Sequence, residues 1–387
     1  MRSLEKKKVQ VHKNQILNGD GLFEEKNVRK NKHKKHTFFS NLFNFIFYSG
    51  ICGFIIGLFL LYGPYNGFRE WYITTAMATM THQYLATWFY SDSAINEVLA
   101  KNKIIEIDAI TDPSLVTTVA STKTYSYANE YEKAILEKDS SHPDYKIIPI
   151  KTSKYNGYLA IVYDPSTIKT LVTNKVGKEG QYLTEMAENA GATISINGGV
   201  FTGDKSSSED LKAQELAYGG SGGSPYGLTI SNGEVITNTE YDGVGGLIGF
   251  NENNKLVLGK MTAKKAKEMK IRDAVTCGPY LIINGQASKV IGNGGWGTAP
   301  RTAIGQRQDG IVLMLAIDGR RATMPGATME DLLEIMQNYG AYNASALDGG
   351  TSTAMVENGQ LVNDPIDSSG AHKTRPIATG FGAIFKK

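Results

Sequence analysis

With 387 residues, 41% of them hydrophobic, the chain has enough apolar material for a sizeable core in one or two domains. Its net charge of +3 is unevenly placed: residues 1–36 hold 11 Lys/Arg against 4 Asp/Glu, which is +7 there and leaves −4 for the remainder. The main body therefore has no nucleic-acid signature, and a count of two cysteines, Cys52 and Cys277, excludes a cysteine metal site.

Residues 1–36 are rich in Lys, His and Asn without hydrophobic periodicity, and read as a disordered basic tail. Residues 37–62 read as a transmembrane signal anchor. Phe38 to Tyr62 carries no charge, and about 20 apolar residues suffice to cross roughly 30 Å of hydrocarbon. The basic block from Val28 to His36 keeps the N-terminus cytoplasmic. The reading is a single-pass plasma-membrane protein whose C-terminal domain is extracellular. The apolar run exceeds a signal-peptide core and no small-x-small site directly follows it, so the anchor is read as uncleaved.

Residues 63–145 form a membrane-proximal helix and linker. Gly63-Pro64-Tyr65 breaks the anchor helix. A helix is expected over 69–100, carrying Trp71, Met77, Met80, Tyr84, Leu85, Trp88 and Phe89. It lies on the membrane surface, docks on the body or self-associates, and its few basic residues favour the last two. Residues 101–145 are polar, with a short helix from Asn129 to Lys138.

Residues 146–387 make the main domain. Apolar runs at 158–163, 192–196, 227–230, 281–283, 301–304, 310–317 and 380–385 are strands. Ser231-Asn232-Gly233 is a hairpin turn. Thr328 caps a helix through Asp331, and Gly340 stops it. The fold class is α+β: a largely antiparallel mixed sheet with flanking helices, preceded by one N-terminal transmembrane helix. The run Gly219-Gly220-Ser221-Gly222-Gly223-Ser224 is either a lid or a plain loop.

Chemistry concentrates at strand ends where an apolar run delivers a polar residue beside glycine. These are Asn197-Gly198-Gly199, Cys277-Gly278-Pro279, Asp318-Gly319-Arg320 and Asp348-Gly349-Gly350-Thr351-Ser352. Glycines bring backbone close to a ligand, and successive N–H groups with hydroxyls make an anion-binding concavity. Asp348 is placed to act as acid, base, nucleophile or metal ligand. Asp318 and Asp348 together supply the two carboxylates that acid–base cleavage of a glycosidic bond uses. Arg301, Arg320, Arg321 and Arg375 are the candidate anion clamps, because the guanidinium fork donates bidentate bonds to phosphate. His372 is a candidate proton carrier.

Taken in order, these stretches resemble the phosphodiester glycosidase family. The resemblance rests on Ser195 to Phe201, Cys277 to Leu281, Pro300-Arg301-Thr302-Ala303-Ile304-Gly305, Ile317 to Arg320, Leu347 to Ser352 and Arg375-Pro376, and covers roughly 150–387. The anchor and residues 63–145 resemble bacterial membrane-anchored relatives labelled for exopolysaccharide biosynthesis. The resemblance implies hydrolysis of a sugar-1-phosphodiester at the sugar–phosphate oxygen, with Asp348 and Asp318 catalytic. It further implies substrate binding by Asn197, Gly198, Gly199, Arg301, Thr302, Arg320, Gly349, Gly350, Thr351, Ser352, His372 and Arg375, with no metal and no cofactor. Thr351 departs from a family pattern that often has glycine there. The implied partners are a glycan phosphodiester substrate, the membrane and envelope-assembly proteins. A non-catalytic glycopolymer-binding protein and a metal-dependent phosphodiesterase are the alternatives.

Overall fold

The structure, a computed structural model, describes residues 30–79, 82–117, 127–202, 222–367 and 369–386. Most of the basic tail and part of the glycine–serine run lie outside the described residues. The chain divides into two units, one up to Tyr65 and one from Asn66 onward.

The first unit contains one helix, Lys30–Tyr62, whose segment Phe38–Tyr62 is long and apolar enough to cross a membrane. At about 1.5 Å per residue its 25 residues span about 37 Å, more than the hydrocarbon thickness. The helix stops at Gly63, where a Cβ would sit 2.3 Å from the Phe59 carbonyl oxygen.

The second unit is built on a seven-stranded sheet. Its order is β14 (Gln286–Ala287), β13 (Tyr280–Ile283), β18 (Ala341–Leu347), β16 (Arg301–Arg307), β17 (Val312–Ile317), β3 (Asn156–Val162) and β2 (Tyr145–Lys151). A five-stranded sheet runs β11 (Leu256–Gly259), β10 (Gly246–Asn251), β12 (Ile271–Cys277), β8 (Leu228–Ser231) and β9 (Glu234–Asn238). Another runs β20 (Gln360–Leu361), β19 (Met355–Glu357), β5 (Ile194–Asn197), β21 (Thr379–Ala383) and β4 (Ile168–Val172). Two ribbons complete it: β1 (Lys103–Ile105) with β15 (Lys289–Ile291), and β6 (Phe201–Thr202) with β7 (Ser224–Pro225). All these pairings are antiparallel, so the α+β class read from the sequence holds.

Strand alternation explains the layering. Along β17, Val312, Met314 and Ala316 join a core with Ile248 and Phe250 of β10, Ile196 of β5 and Phe381 of β21, so all three sheets share it. Leu313, Leu315 and Ile317 turn the other way, under Leu332, Leu333 and Met336 of the helix Met329–Asn338. Each such buried side chain contributes about 2 kcal/mol. That helix begins with a capping box in which Thr328 and Asp331 satisfy each other's backbone N–H.

The stretch expected as one helix over 69–100 is three: Asn66–Met77, Tyr84–Thr87 and Asp92–Lys101. The Thr79 hydroxyl accepts the His82 N–H just past the first, and Ser91 caps the third by accepting the Ala94 N–H. This segment and the residues that follow it are tied to the rest of the second unit. Asn293 donates to the Thr74 hydroxyl at 2.7 Å, and Glu106 accepts the backbone N–H groups of Gly245 and Tyr280.

Candidate active site

Register brings the chemistry-bearing strand ends to one sheet edge. Arg301 pairs with Ile317, Thr302 with Leu347 and Ile317 with Gly157, so Pro300, Asp318, Asp348 and Asn156 emerge side by side. The end of β5 joins them from the neighbouring sheet: Gly198 gives its carbonyl to the Asp348 N–H at 3.1 Å.

Asn197 organises the turn after β18. Its Nδ2 donates to the Asp348 carbonyl at 2.6 Å, while its Oδ1 accepts from the Thr302 hydroxyl and the Ala354 N–H. Asn197 and Thr302 are both buried, so their polar groups are spent on holding the turn. Gly199 packs flat on β12, where a Cβ would meet the Thr276 carbonyl oxygen at 2.4 Å. Within the turn the Gly349 carbonyl accepts the Ser352 N–H, and the Gly350 N–H donates to the Pro300 carbonyl. Gly350 has φ +62°, a backbone conformation that glycine adopts without strain.

The Asp348 carboxylate projects from this turn, 22% exposed. Arg375 Nη2 lies 3.4 Å from its Oδ2, and Arg375 Nε donates to the Ser352 hydroxyl at 2.8 Å. The guanidinium also lies over the Phe201 ring, 4.6 Å from its centroid, a cation–π contact. Arg320 reaches the same turn, donating from Nη1 to the Thr351 hydroxyl at 2.6 Å and to the Ile366 carbonyl at 3.0 Å. Burial lowers the Arg320 pKa, and the Arg375 cation lowers it further. Arg320 holds φ +61°, which costs a non-glycine residue energy and aims its side chain back at the turn. Two guanidinium groups, one carboxylate and two hydroxyls thus converge on one spot.

Asp318 is 3% exposed. Burial raises its pKa, against the opposing pull of two donors: Asn363 Nδ2 at 2.9 Å and the Asp364 N–H at 3.1 Å. It lines a cavity of about 240 Å³ together with Arg321, Asp364, Lys151, Asn156 and Tyr158. His372 Nδ1 lies 2.7 Å from Asp364 Oδ1, and Arg321 pairs with Asp364 Oδ2. The His372 hydrogen bond is the main reason the Asp364 carboxyl titrates below its usual range.

Arg301 is not part of either group. Its guanidinium faces inward, Nε donating to the Ala327 carbonyl and Nη2 to the carbonyls of Trp296 and Gly297. Burial pushes its pKa down to about 10. Among the described residues no cluster of three His, Cys, Asp or Glu could hold a metal ion. Asn363, Asp364 and Phe201 were not among the residues singled out by chemistry. The Asn363-Asp364-Pro365 run, a turn signal beside a short strand, is the trace that points to the first two.

The sequence profile of the phosphodiester glycosidase family matches residues 190–384. Among solved structures, the catalytic domain of zebrafish N-acetylglucosamine-1-phosphodiester alpha-N-acetylglucosaminidase, auto-inhibited by its pro-peptide, is similar in fold. The TM-score is 0.51 at 20% identity, covering 64% of this chain and 86% of that one. A curated relative, the SPbeta prophage-derived uncharacterized protein YomE of Bacillus subtilis (strain 168), is 38% identical over 68 residues, or 18% of this chain. The match spans only 11% of that relative's length. The profile match covers half of the chain and takes in Asn197, Asp318, Arg320, Asp348 and Arg375, and the chain belongs to the phosphodiester glycosidase family, a family of glycosidase-type hydrolases.

Proposed function

We propose that the chain is an extracytoplasmic hydrolase that cleaves the glycosidic bond of sugar-1-phosphodiesters in cell-envelope glycopolymers or related glycans. The observation that carries this reading is the convergence of Arg320 and Arg375 on the turn that presents the Asp348 carboxylate. The two cations hold the non-bridging oxygens of the diester, and the Thr351 and Ser352 hydroxyls extend the anion site. Asp348 takes a proton from water as the water oxygen bonds to the anomeric carbon. The bond from that carbon to the phosphate oxygen breaks, and the electron pair leaves with the phosphomonoester. A phosphate leaves with less protonation than an alcohol, so one well-placed carboxylate is enough. Asp318 supports the sugar side of the same edge. The Phe38–Tyr62 helix serves as an uncleaved anchor with the basic tail cytoplasmic.

Full-length protein in detergent, given UDP-N-acetylglucosamine and a teichoic-acid-type glycan, is expected to release free sugar detected by mass spectrometry. Release should be lost in Asp348→Asn. Sugar-1-phosphate as product would place the cut on the other side of the phosphate, as in a phosphodiesterase. No product from any phosphodiester would favour a glycopolymer-binding protein.

A further inference from the structure

We infer that the cavity beside Asp318 is a saccharide subsite, separate from the phosphate site, whose selectivity is set by the ends of the β2–β3 hairpin. This assignment rests on the hydrolase reading above.

Charge separates the two places. Around the Asp348 turn, Arg375 faces the Asp348 carboxylate and Arg320 donates to Thr351, while Asp367, whose charge also reaches Arg320, is paired with Lys373; the excess of positive charge that remains suits a phosphodiester. In the cavity, Lys151 and Arg321 are matched by Asp318 and Asp364. That balance gives an anion no net attraction and suits a neutral, hydroxyl-rich group. Each carboxylate oxygen has two lone pairs. Asp318 uses two of its four on Asn363 and Asp364, which leaves acceptors for sugar hydroxyls.

Two further groups point to a ligand. Asn156 and Tyr158 line the cavity, and neither side chain makes a hydrogen bond among the described residues. Both are half-buried, so their polar groups remain open to an incoming hydroxyl instead of being sealed in the core. Size agrees: about 240 Å³ is below the roughly 300–1,000 Å³ of drug-sized pockets and equals the liquid share of about eight waters, room for one pyranose ring.

The two places adjoin along the chain. Asp318 lines the cavity, while Arg320, two residues on, reaches Thr351 in the phosphate site. Asn363 bridges them too, donating to both Asp318 and the Thr353 carbonyl. The hairpin residues Lys151, Asn156 and Tyr158 lie outside the 190–384 match, so this wall is contributed by the chain's own preceding segment.

The test reads binding rather than turnover. Full-length protein in detergent is probed by saturation-transfer NMR with glucose, galactose, mannose and N-acetylglucosamine, and by calorimetry with inorganic phosphate. The doubly substituted Asn156→Ala/Tyr158→Phe protein should bind the preferred sugar about tenfold more weakly, from two lost hydrogen bonds, with phosphate affinity unchanged. Arg375→Ala should show the reverse. Unchanged sugar binding in the double variant, loss of phosphate binding with it, or no sugar binding by the parent protein would overturn the subsite. If sugar binding responds as expected but no phosphodiester is cleaved, the hydrolase reading fails, and the cavity is left as a sugar-binding site with no part in hydrolysis.

Discussion

Arg375 and Asp348 are held together loosely on one side and tightly on the other. Their charged atoms are 3.4 Å apart, whereas Arg375 Nε sits 2.8 Å from the Ser352 hydroxyl in the same turn. The serine fixes the guanidinium, and the carboxylate keeps lone pairs for a water. Replacing Asp348 by Asn removes the base but keeps the shape. Sugar release should fall by about a hundredfold or more, with the melting temperature little changed. Turnover within twofold of the parent would remove Asp348 from its role.

Arg375→Lys keeps one positive charge but cannot hold Ser352, face Asp348 and cover Phe201 at once. The expected outcome is a rise in KM for the phosphodiester of about tenfold, measured by steady-state kinetics. A variant with parental KM would show that the fork geometry is dispensable.

Arg301 should matter for stability. Its side chain satisfies three carbonyls, those of Ala327, Trp296 and Gly297, in a site with 6% exposure. Arg301→Ala strands these acceptors and should cost about 3 kcal/mol, read as a lower denaturation midpoint. Equal stability of parent and variant would contradict this placement.

Asp318 gives a signed pH dependence. Burial raises its folded pKa above the unfolded aspartate value of about 3.9. Between those two values the folded state binds more protons than the unfolded one, so stability falls as pH rises through that window. Asp318→Asn should flatten the part of the melting-temperature profile that lies just above the unfolded aspartate value of about 3.9. A parental slope in the variant would assign the dependence to other groups.

Much of the framework is legible in the sequence because its signals are local. The alternation of Val312, Met314 and Ala316 with Leu313, Leu315 and Ile317 announces β17 and its two buried faces. Thr328 and Asp331 announce the helix start. What is local about the Asp348 turn, its glycines and hydroxyls, is equally visible. Its partners are not: Asn197 is 151 residues away and Arg375 is 27. Sequence spacing carries no information about such pairings. Arg301 shows the limit most plainly. An arginine entering an apolar strand beside Pro300 fits an anion clamp and a buried carbonyl-binding strut equally well, and only the direction of the side chain separates them. The break of the 69–100 helix was likewise hidden, since Thr79 and Ser91 are tolerated inside helices until their hydroxyls take backbone partners.

The strand β21 lies between β4 and β5, and its first residue, Thr379, binds Gly198 through its carbonyl and Gly199 through its hydroxyl. The Asn197-Gly198-Gly199 bend that supports Asp348 is therefore incomplete until residues 379–383 have docked. A partly synthesised chain holds Asp348 and Asp318 but lacks the strand that completes the bend beneath Asp348. Timing is thus written into the topology: the carboxylates come under control only after nearly all of the domain is out of the ribosome and free to fold.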